Sequence, residues 1–380
     1  FLDGRLAITG GDGNVYIGPA GNSTNNADIE YSGSGASQLD IQAGNLYVNG
    51  QIRRPLASTN GILNYSQTGG NVYIFGNNPT TTNLTKAKLE VLNEGSSFTM
   101  TGGILTIVRG GGTTFGDLYL RPSSSSVTGG TIIFTQVPSS GPVIDAPQSY
   151  SLDANIPLNN LTITGKTAPT RRAATLALMV SSLSLNGSLT LTNSYSIFNS
   201  NDLNISLKGD LNNNGTYNYG TNLTTFNGGA QFITGSSTSD FHDLDVLSLT
   251  TLTVSNSFTV GRNLRISNGD LVLGSNRVTV IGNLVNNGSY TDNNSSGGIT
   301  LAGTTRQQIS GTGLFGLLDI NNTEGARLYS DINLRNNLVL SNGVLDINMY
   351  LLTLSQNSII SGAPFSDHKM IMPDGVVSSP

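Results

Sequence analysis

Side chains that could act as general bases are scarce in this chain, which has two histidines and no cysteine among its 380 residues. The ordinary pKa of histidine lies closest to neutral pH, so His242 and His368 are the first candidates for proton transfer. His242 lies in a phrase that the chain repeats, and the equivalent positions in the other copies are Asn159 and Gly316. His368 lies in an irregular C-terminal segment. The context of His242 favours a variable outer residue, and that of His368 favours a loop or cap residue. We therefore predict no catalytic residue.

Carboxylates and metal ligands lead to the same prediction. β-Helix lyases and hydrolases gather acidic groups at one position of neighbouring coils, and the nearest case here is Asp245 with Asp319. The first copy of their repeat carries Thr162 at that position. This favours side chains that only decorate a ladder of stacked strands over an acidic active site. The segment 10-GGDGNVYIG-18 is similar to the calcium-binding nonapeptide of β-rolls, but Val15 stands where that motif needs Asp. We therefore predict neither a metal site nor a cofactor.

Three tyrosines are the binding candidates that the sequence offers. Tyr16, Tyr47 and Tyr73 each lie between two apolar residues of a short alternating phrase. If these phrases are neighbouring strands, the three rings lie together on the outer face of one sheet. They would then be either an aromatic ladder that stabilises the sheet or a platform for surface glycans or another cell-surface protein.

The composition narrows the class of partner. Only 11% of the residues are charged, the net charge is −5, and hydrophobic residues make up 37%. No cluster of Lys or Arg could neutralise a row of phosphates, so nucleic acid is excluded as a partner. No apolar run approaches the length of a membrane-spanning helix, so we predict a chain that does not span a membrane. The absence of Cys excludes disulfides and thiolate sites.

One phrase, Gly-x-apolar-x-apolar, recurs along the chain and indicates the elements that position these residues. Glycine at a turn with positive φ would lead into a short strand whose apolar face is buried. Such strands, joined by Gly- and Asn-rich corners, fit either a β-sandwich or a parallel β-solenoid. The phrase follows Gly13, Gly44, Gly70, Gly103, Gly130, Gly187, Gly269 and Gly343.

Longer echoes favour the solenoid, because a sandwich predicts no repeat at the length of a coil. The passage 262-RNLRISNGDLVLGSNRVTV-280 returns as 336-NNLVLSNGVLDINMYLLTL-354, and 228-GGAQFITG-235 returns as 303-GTTRQQISG-311. We predict an all-β, right-handed parallel β-helix with about three short strands per coil. Each copy of about 74 residues would hold about three coils, and corner asparagines would form amide ladders between coils. The Ala- and Leu-rich stretch 171–183 is interpreted as strand, although its composition also fits a helix.

The repeats also indicate a division of the chain. We predict N-terminal coils over 1–140 with a repeat of about 57–60 residues, and a Pro- and Ser-rich loop or linker over 141–157. C-terminal coils follow over 158–363, in copies of 74–83 residues that begin near 158, 241 and 315. Residues 364–380 would form a cap or the entry to a further domain.

The phrases 97-SFTMTGGILTIVRGGG-112, 128-TGGTIIF-134, 263-NLRISNGDLVLGSNRVTVIGNLVNNGSY-290 and 303-GTTRQQISGTG-313 carry a family resemblance. They resemble the repeats of very large cell-surface proteins of Bacteroidota that the type 9 secretion system exports, including gliding-motility adhesins. The resemblance implies an extracellular, surface-anchored or released protein with a β-helical stalk or adhesive region. It brings no active-site residue to this chain.

Together these observations favour a non-enzymatic, extracellular structural or adhesive β-helix of a bacterial cell-surface protein. Its expected partners are surface glycans, other cell-surface proteins, or the outer-membrane secretion and anchoring machinery. The alternatives are a carbohydrate-active β-helix enzyme, either a lyase or a hydrolase, and a glycan-binding module.

Overall fold

The fold is all-β and parallel, as predicted. A computed structural model describes residues 2–20, 26–31, 35–56, 58–76, 86–111, 116–247 and 249–373, and these residues include no helix. Successive short strands pair in parallel with strands of neighbouring coils, and the resulting sheets form a parallel β-solenoid. The chain divides into two compact units, Phe1–Ile205 with Asn212–Gly220 and Ser206–Leu211 with Thr221–Pro380.

Twenty-one strands lie before Thr221, and β19 and β20 contain the points at which the two units divide. They are β1 (Arg5–Ile8), β2 (Asn14–Ile17), β3 (Ile29–Glu30), β4 (Ala36–Ile41), β5 (Asn45–Val48), β6 (Ile52–Arg53), β7 (Ile62–Gln67), β8 (Asn71–Ile74), β9 (Leu89–Met100), β10 (Ile104–Ile107), β11 (Leu118–Val127), β12 (Thr131–Thr135), β13 (Gln148–Ala154), β14 (Asn160–Thr164), β15 (Ala174–Leu178), β16 (Leu183–Leu185), β17 (Leu189–Leu191), β18 (Ser196–Asn199), β19 (Ile205–Leu207), β20 (Leu211–Asn213) and β21 (Thr216–Asn218).

The remaining strands belong to the second unit. They are β22 (Leu223–Phe226), β23 (Ala230–Thr234), β24 (Asp243–Val246), β25 (Thr251–Val254), β26 (Phe258–Val260), β27 (Leu264–Ile266), β28 (Asp270–Gly274), β29 (Arg277–Val280), β30 (Leu284–Asn286), β31 (Ser289–Asp292), β32 (Gly298–Leu301), β33 (Gln307–Ser310), β34 (Leu314–Phe315), β35 (Leu318–Asn321), β36 (Ala326–Leu328), β37 (Ile332–Leu334), β38 (Leu338–Asn342), β39 (Leu345–Asn348), β40 (Leu352–Leu354), β41 (Ile360–Ser361) and β42 (Ile371–Pro373).

The coils of the first unit present two faces on which the candidate sites lie. The tyrosine face consists of β2, β5, β8, β10, β12, β14 and β17. The groove face consists of β1, β4, β7, the second part of β9 and the second part of β11. The first parts of β9 and β11 pair along a third face that contains β3, β6 and β13. The long strands β9 and β11 therefore each contribute to two faces.

From β24 onward, consecutive strands of the second unit lie in three sheets in strict rotation. The passage 262–280 places β27, β28 and β29 in the first, second and third of these sheets, respectively. Its echo 336–354 places β38, β39 and β40 in the third, first and second. Because β38 comes eleven strands after β27, one copy spans three coils and two further strands. The expectation of about three coils per copy is thus corrected: each copy returns on a different face.

Two local predictions, a strand in 171–183 and an asparagine ladder between coils, are confirmed. Stretch 171–183 contains β15 and the start of β16, so the strand interpretation is confirmed. The Asn45 amide donates to Asn14 Oδ1 at 2.9 Å, and the Asn71 amide donates to Asn45 Oδ1 at 2.8 Å, which confirms an asparagine ladder between coils. Such ladders satisfy polar groups that each added coil would otherwise leave unpaired.

The glycines of the repeated phrase do not all serve one purpose. Positive φ is found at five of the eight, including Gly70 at 60°. A Cβ at Gly70 would also lie 2.6 Å from the carbonyl oxygen of Ala43 in the preceding coil. Gly187 lacks positive φ, but a Cβ there would lie 2.2 Å from Asn160 Oδ1. Close approach of coils, as well as turn geometry, therefore selects glycine.

A glutamine three or four positions after a glycine forms a buried clamp at two corners of the chain. This glycine–glutamine motif is repeated. Gln231 accepts a hydrogen bond from the Gly228 amide at 2.7 Å and donates to the Leu207 carbonyl at 3.0 Å. In the later copy, Gln307 accepts from the Gly303 amide at 2.8 Å and donates to the Val280 carbonyl at 2.9 Å. Each side chain ties its own corner to the preceding coil. The motif is repeated because the same corner is built twice.

The predicted loop or linker, 141–157, and the predicted cap, 364–380, each contain a strand. Within 141–157, Gln148–Ala154 forms β13, which pairs with β11 and β15. Within 364–380, Ile371–Pro373 pairs with β39, and residues 374–380 lie outside the described part of the chain.

Candidate functional site

The three predicted tyrosines form a continuous stack on the tyrosine face. Tyr16, Tyr47 and Tyr73 occupy paired positions of β2, β5 and β8. The ring centroids of Tyr16 and Tyr47 are 4.8 Å apart and those of Tyr47 and Tyr73 are 5.0 Å apart, with interplanar angles of 12° and 7°. This spacing is that of neighbouring parallel strands, so the register of the sheet imposes the stack.

The expectation that all three rings could serve as an outer platform is corrected by a covering segment. Tyr16 is 43% exposed, but Tyr47 and Tyr73 are only 6% and 4% exposed. The irregular segment 137–147 lies over them: Tyr47 Oη is 2.9 Å from Ser140 Oγ, and Tyr73 Oη is 2.8 Å from Ser139 Oγ. Two of the three rings are therefore structural.

The same segment contributes an apolar contact. Tyr47 and Tyr73 form a buried cluster with Phe75, Val108 and Ile144. A small opening of about 180 Å³ remains between the segment and the exposed edge of the stack, bordered by Tyr16, Asn49 and Ser140–Pro142. The stack thus offers a ligand one exposed ring, Tyr16, at its first strand.

A second and larger concavity lies on the groove face. It has a volume of about 460 Å³ and is lined mainly by outward side chains of β4, β7, β9 and β11. We call it the polar groove. Two columns of aligned residues run along it: the first is Gln38, Asn64, Ser97 and Ser124, and the second is Asp40, Ser66 and Thr99, continued beyond the lining by Ser126. Seven of these eight side chains are uncharged hydrogen-bonding groups.

Few of these side chains are used within the protein. Ser97 Oγ donates to Asn64 Oδ1 at 2.8 Å. Asp40 accepts from Arg5 at 2.5 Å and from the Gln42 amide at 3.0 Å. Among the hydrogen bonds between described residues, none involves the side chains of Gln38, Ser66, Thr99, Ser124 or Ser126. Their hydrogen-bonding capacity faces solvent.

Sequence reasoning missed this groove for a specific reason. Its residues recur at intervals that change from 26 to 33 to 27 positions along the first column. No fixed-period search aligns them. The available signal was the pairing of two hydroxyl or amide residues at i and i+2, as in Asn64/Ser66 and Ser97/Thr99.

Several carboxylates, most of them buried or half-buried, are held in ion pairs with arginine. Arg53 lies 2.7 Å from both Asp28 and Glu30, and its side chain is almost fully buried. Asp245 and Asp319, the pair considered above, lie in different sheets of the second unit, on β24 and β35. Further pairs are Arg54–Glu90, Arg121–Asp153, Arg262–Asp243, Arg277–Asp319 and Arg327–Asp346.

The two histidines have different surroundings. His242 Nδ1 lies 3.2 Å from Asp243 Oδ2, and Asp243 also accepts hydrogen bonds from Arg262 and Asn263. Among the described hydrogen bonds, none joins the His242 ring to a hydroxyl. His368 is exposed in a turn. In the described ranges no group of three or more His, Cys, Asp or Glu residues is placed to hold a metal ion.

Burial perturbs several titratable groups inside the coils. Desolvation raises the pKa of Tyr31, Tyr65, Tyr150 and Tyr290, whose hydroxyls donate to Glu90 O, Gln67 Oε1, Val108 O and Leu317 O. Burial likewise lowers the pKa of the Lys88 ammonium, an effect that the nearby Asp117 opposes. Tyr65 is the only one of these residues that borders the polar groove, and its side chain is fully buried.

No helix in the described part of the chain is long and apolar enough to cross a membrane. Comparison with known proteins returned no matching family model, no matching curated protein and no matching solved structure.

Proposed function

We propose that this protein is a non-enzymatic structural or adhesive β-helix of a bacterial cell-surface protein. The observation that carries the proposal is the contrast between the uncharged side chains of the polar groove and the carboxylates that are paired with arginine. Uncharged hydroxyl and amide groups line the polar groove, whereas the carboxylates of Asp28, Glu90, Asp153 and Asp243 are neutralised by arginine. Such a surface favours weak, repeated contacts over proton transfer.

A carbohydrate-active enzyme is the alternative, and the His242–Asp243 pair is the one arrangement that favours it. In a working dyad the second ring nitrogen would activate a nucleophile or water. Here Asp243 is also held by Arg262, which stabilises the carboxylate as part of an ion pair. Because no described hydroxyl bonds to the His242 ring, we treat His242 as a surface residue in this proposal.

Turnover assays test this choice. The full chain is incubated with neutral and acidic polysaccharides, and reducing ends and unsaturated products are measured. We expect no release above a heat-treated control. Release that is abolished by His242→Ala or Asp243→Asn would establish an enzyme and overturn the proposal.

The location at the cell surface and export by the type 9 secretion system are also part of the proposal, and both rest on the sequence resemblance. Surface labelling and protease treatment of intact producing cells test the first. Comparison with a strain that lacks the type 9 outer-membrane translocon tests the second: we expect the surface signal to disappear there. Copurification with outer-membrane components would instead indicate a cargo captured with its machinery.

A further inference from the structure

We propose that the polar groove is the ligand site and that it binds a neutral polysaccharide lying across the strands of the groove face. This inference rests on the proposed adhesive function and names its ligand class and its site. It moves the expected site away from the tyrosine face, where segment 137–147 covers Tyr47 and Tyr73.

The geometry suits a chain-like ligand. Neighbouring residues of one column lie on adjacent strands, about 4.8 Å apart, and the two columns lie about 6.6 Å apart because their residues are two positions apart along each strand. The columns therefore present hydrogen-bonding groups at regular intervals in the direction of coil stacking. A polysaccharide presents hydroxyls at regular intervals along its own length, and a cavity of about 460 Å³ falls within the usual range for small-molecule sites.

The hydrogen-bonding groups of the groove are available to a ligand. On the tyrosine face, Asn14, Asn45 and Asn71 use their amides to bond one another. In the groove, the side chains of Ser66 and Thr99 occupy equivalent outward positions and have no bond to a described residue. The side chains of Gln38 and Ser124 likewise have no hydrogen bond to a described residue, and they are more exposed. A polyhydroxylated ligand can both donate to and accept from such groups.

Charge selects against acidic ligands. Asp40 is the one carboxylate that lines the groove, and Arg5 and Gln42 occupy its oxygen Oδ2. No unpaired cation among the described groove residues would attract uronic acid or sulfate groups. Binding of a neutral ligand does not require an unpaired charge, on the ligand or on the groove, to lose its water.

The groove is also a poor receptor for a peptide. A peptide that adds to a sheet needs an unpaired strand edge. The strands β4, β7 and β9, which form most of the groove, are each paired on both sides. Among the described groove strands after β1, only the second part of β11 is paired with a strand on one side alone. The outward side chains form no apolar pocket for an anchor residue. Without an accessible aromatic platform, binding to a single groove is weak, and display of many copies on a surface would strengthen it.

Affinity electrophoresis of the full chain tests the proposal with soluble xyloglucan, galactomannan and mixed-linkage β-glucan, and with polygalacturonate as the acidic comparator. The double variant Asn64→Leu/Thr99→Val removes an amide and a hydroxyl from the two columns at nearly constant volume. Thr162→Val removes an outward, half-buried hydroxyl from the tyrosine face and is the matched control. We expect retardation by at least one neutral polysaccharide, a loss of at least tenfold in the double variant, and a change of less than twofold in the control.

Three results would overturn the inference: no retardation by any neutral polysaccharide, stronger retardation by polygalacturonate, or binding by the double variant within twofold of wild type. If the double variant fails to fold, Ser124→Arg takes its place, because this exposed side chain lies at the rim and would block the groove. Surface adhesion that both groove variants retain in full would remove the groove assignment and leave the adhesive function intact. Absence of adhesion by the wild-type chain would remove the adhesive function itself.

Discussion

Replacing Gln307 by leucine isolates the contribution of one buried corner clamp to stability. Gln307 is 1% exposed, whereas the next residue, Gln308, points outward on the same strand and is exposed. The chain therefore supplies its own control: the substitutions Gln307→Leu and Gln308→Leu are chemically identical and one position apart. Only the first removes hydrogen bonds between coils.

The expected cost follows from the partners that are lost. Gln307 bonds to Val280 O, Gly282 O, the Gly303 amide and the Asn322 side chain. Val280 O and the Asn322 amide keep other partners, but Gly282 O and the Gly303 amide have no second partner among the described hydrogen bonds. Two orphaned groups cost about 1–3 kcal/mol each, and the added apolar burial of leucine offsets part of this. We expect a net loss of about 2–4 kcal/mol.

Native-state hydrogen exchange, followed by mass spectrometry, measures this loss where it occurs. Peptides that cover residues 280–310 should exchange faster in Gln307→Leu by the factor that corresponds to the lost free energy. The same peptides in Gln308→Leu should change by less than about 0.5 kcal/mol, as exposed substitutions usually do. Equal destabilisation by the two variants, or none by Gln307→Leu, would refute the clamp.

Two other perturbations probe the coils of the first unit. The pKa of Tyr31, Tyr65 and Tyr150 is raised by burial, so their stabilising effect is complete below the unfolded pKa of about 10 and is lost above it. Together the three groups should lower the free energy of unfolding by about 4 kcal/mol per pH unit above pH 10. In an alkaline titration, tyrosinate absorbance should rise at the same pH at which the circular dichroism of the fold is lost. Ionisation of these tyrosines while the circular dichroism is still native would contradict this prediction. Gly70→Ala should cost at least about 3 kcal/mol, because its φ is 60° and its Cβ would meet a carbonyl at 2.6 Å. Gly13→Ala, whose Cβ would meet nothing within 4 Å, should change the urea midpoint little, and a similar loss in both variants would count against the coil-contact argument.

The sequence alone determined the fold class and the roles of its corners. The alternation of Val72 and Ile74 around an outward residue after Gly70 is local, and local period-two patterns specify strands wherever they occur. The asparagine ladder was predictable for a similar reason, since Asn14, Asn45 and Asn71 hold the same place in successive phrases.

Tertiary structure decided everything that depends on which coil positions become neighbours. The 74-residue echo lands on a different face because eleven strands do not make a whole number of coils. The polar groove exists because coils of unequal length bring Gln38, Asn64 and Ser97 into one column. Tyr47 and Tyr73 are buried by a segment more than 60 residues away in sequence. Strand formation is a local property, but register between coils of variable length is set by packing, and binding surfaces follow from that register.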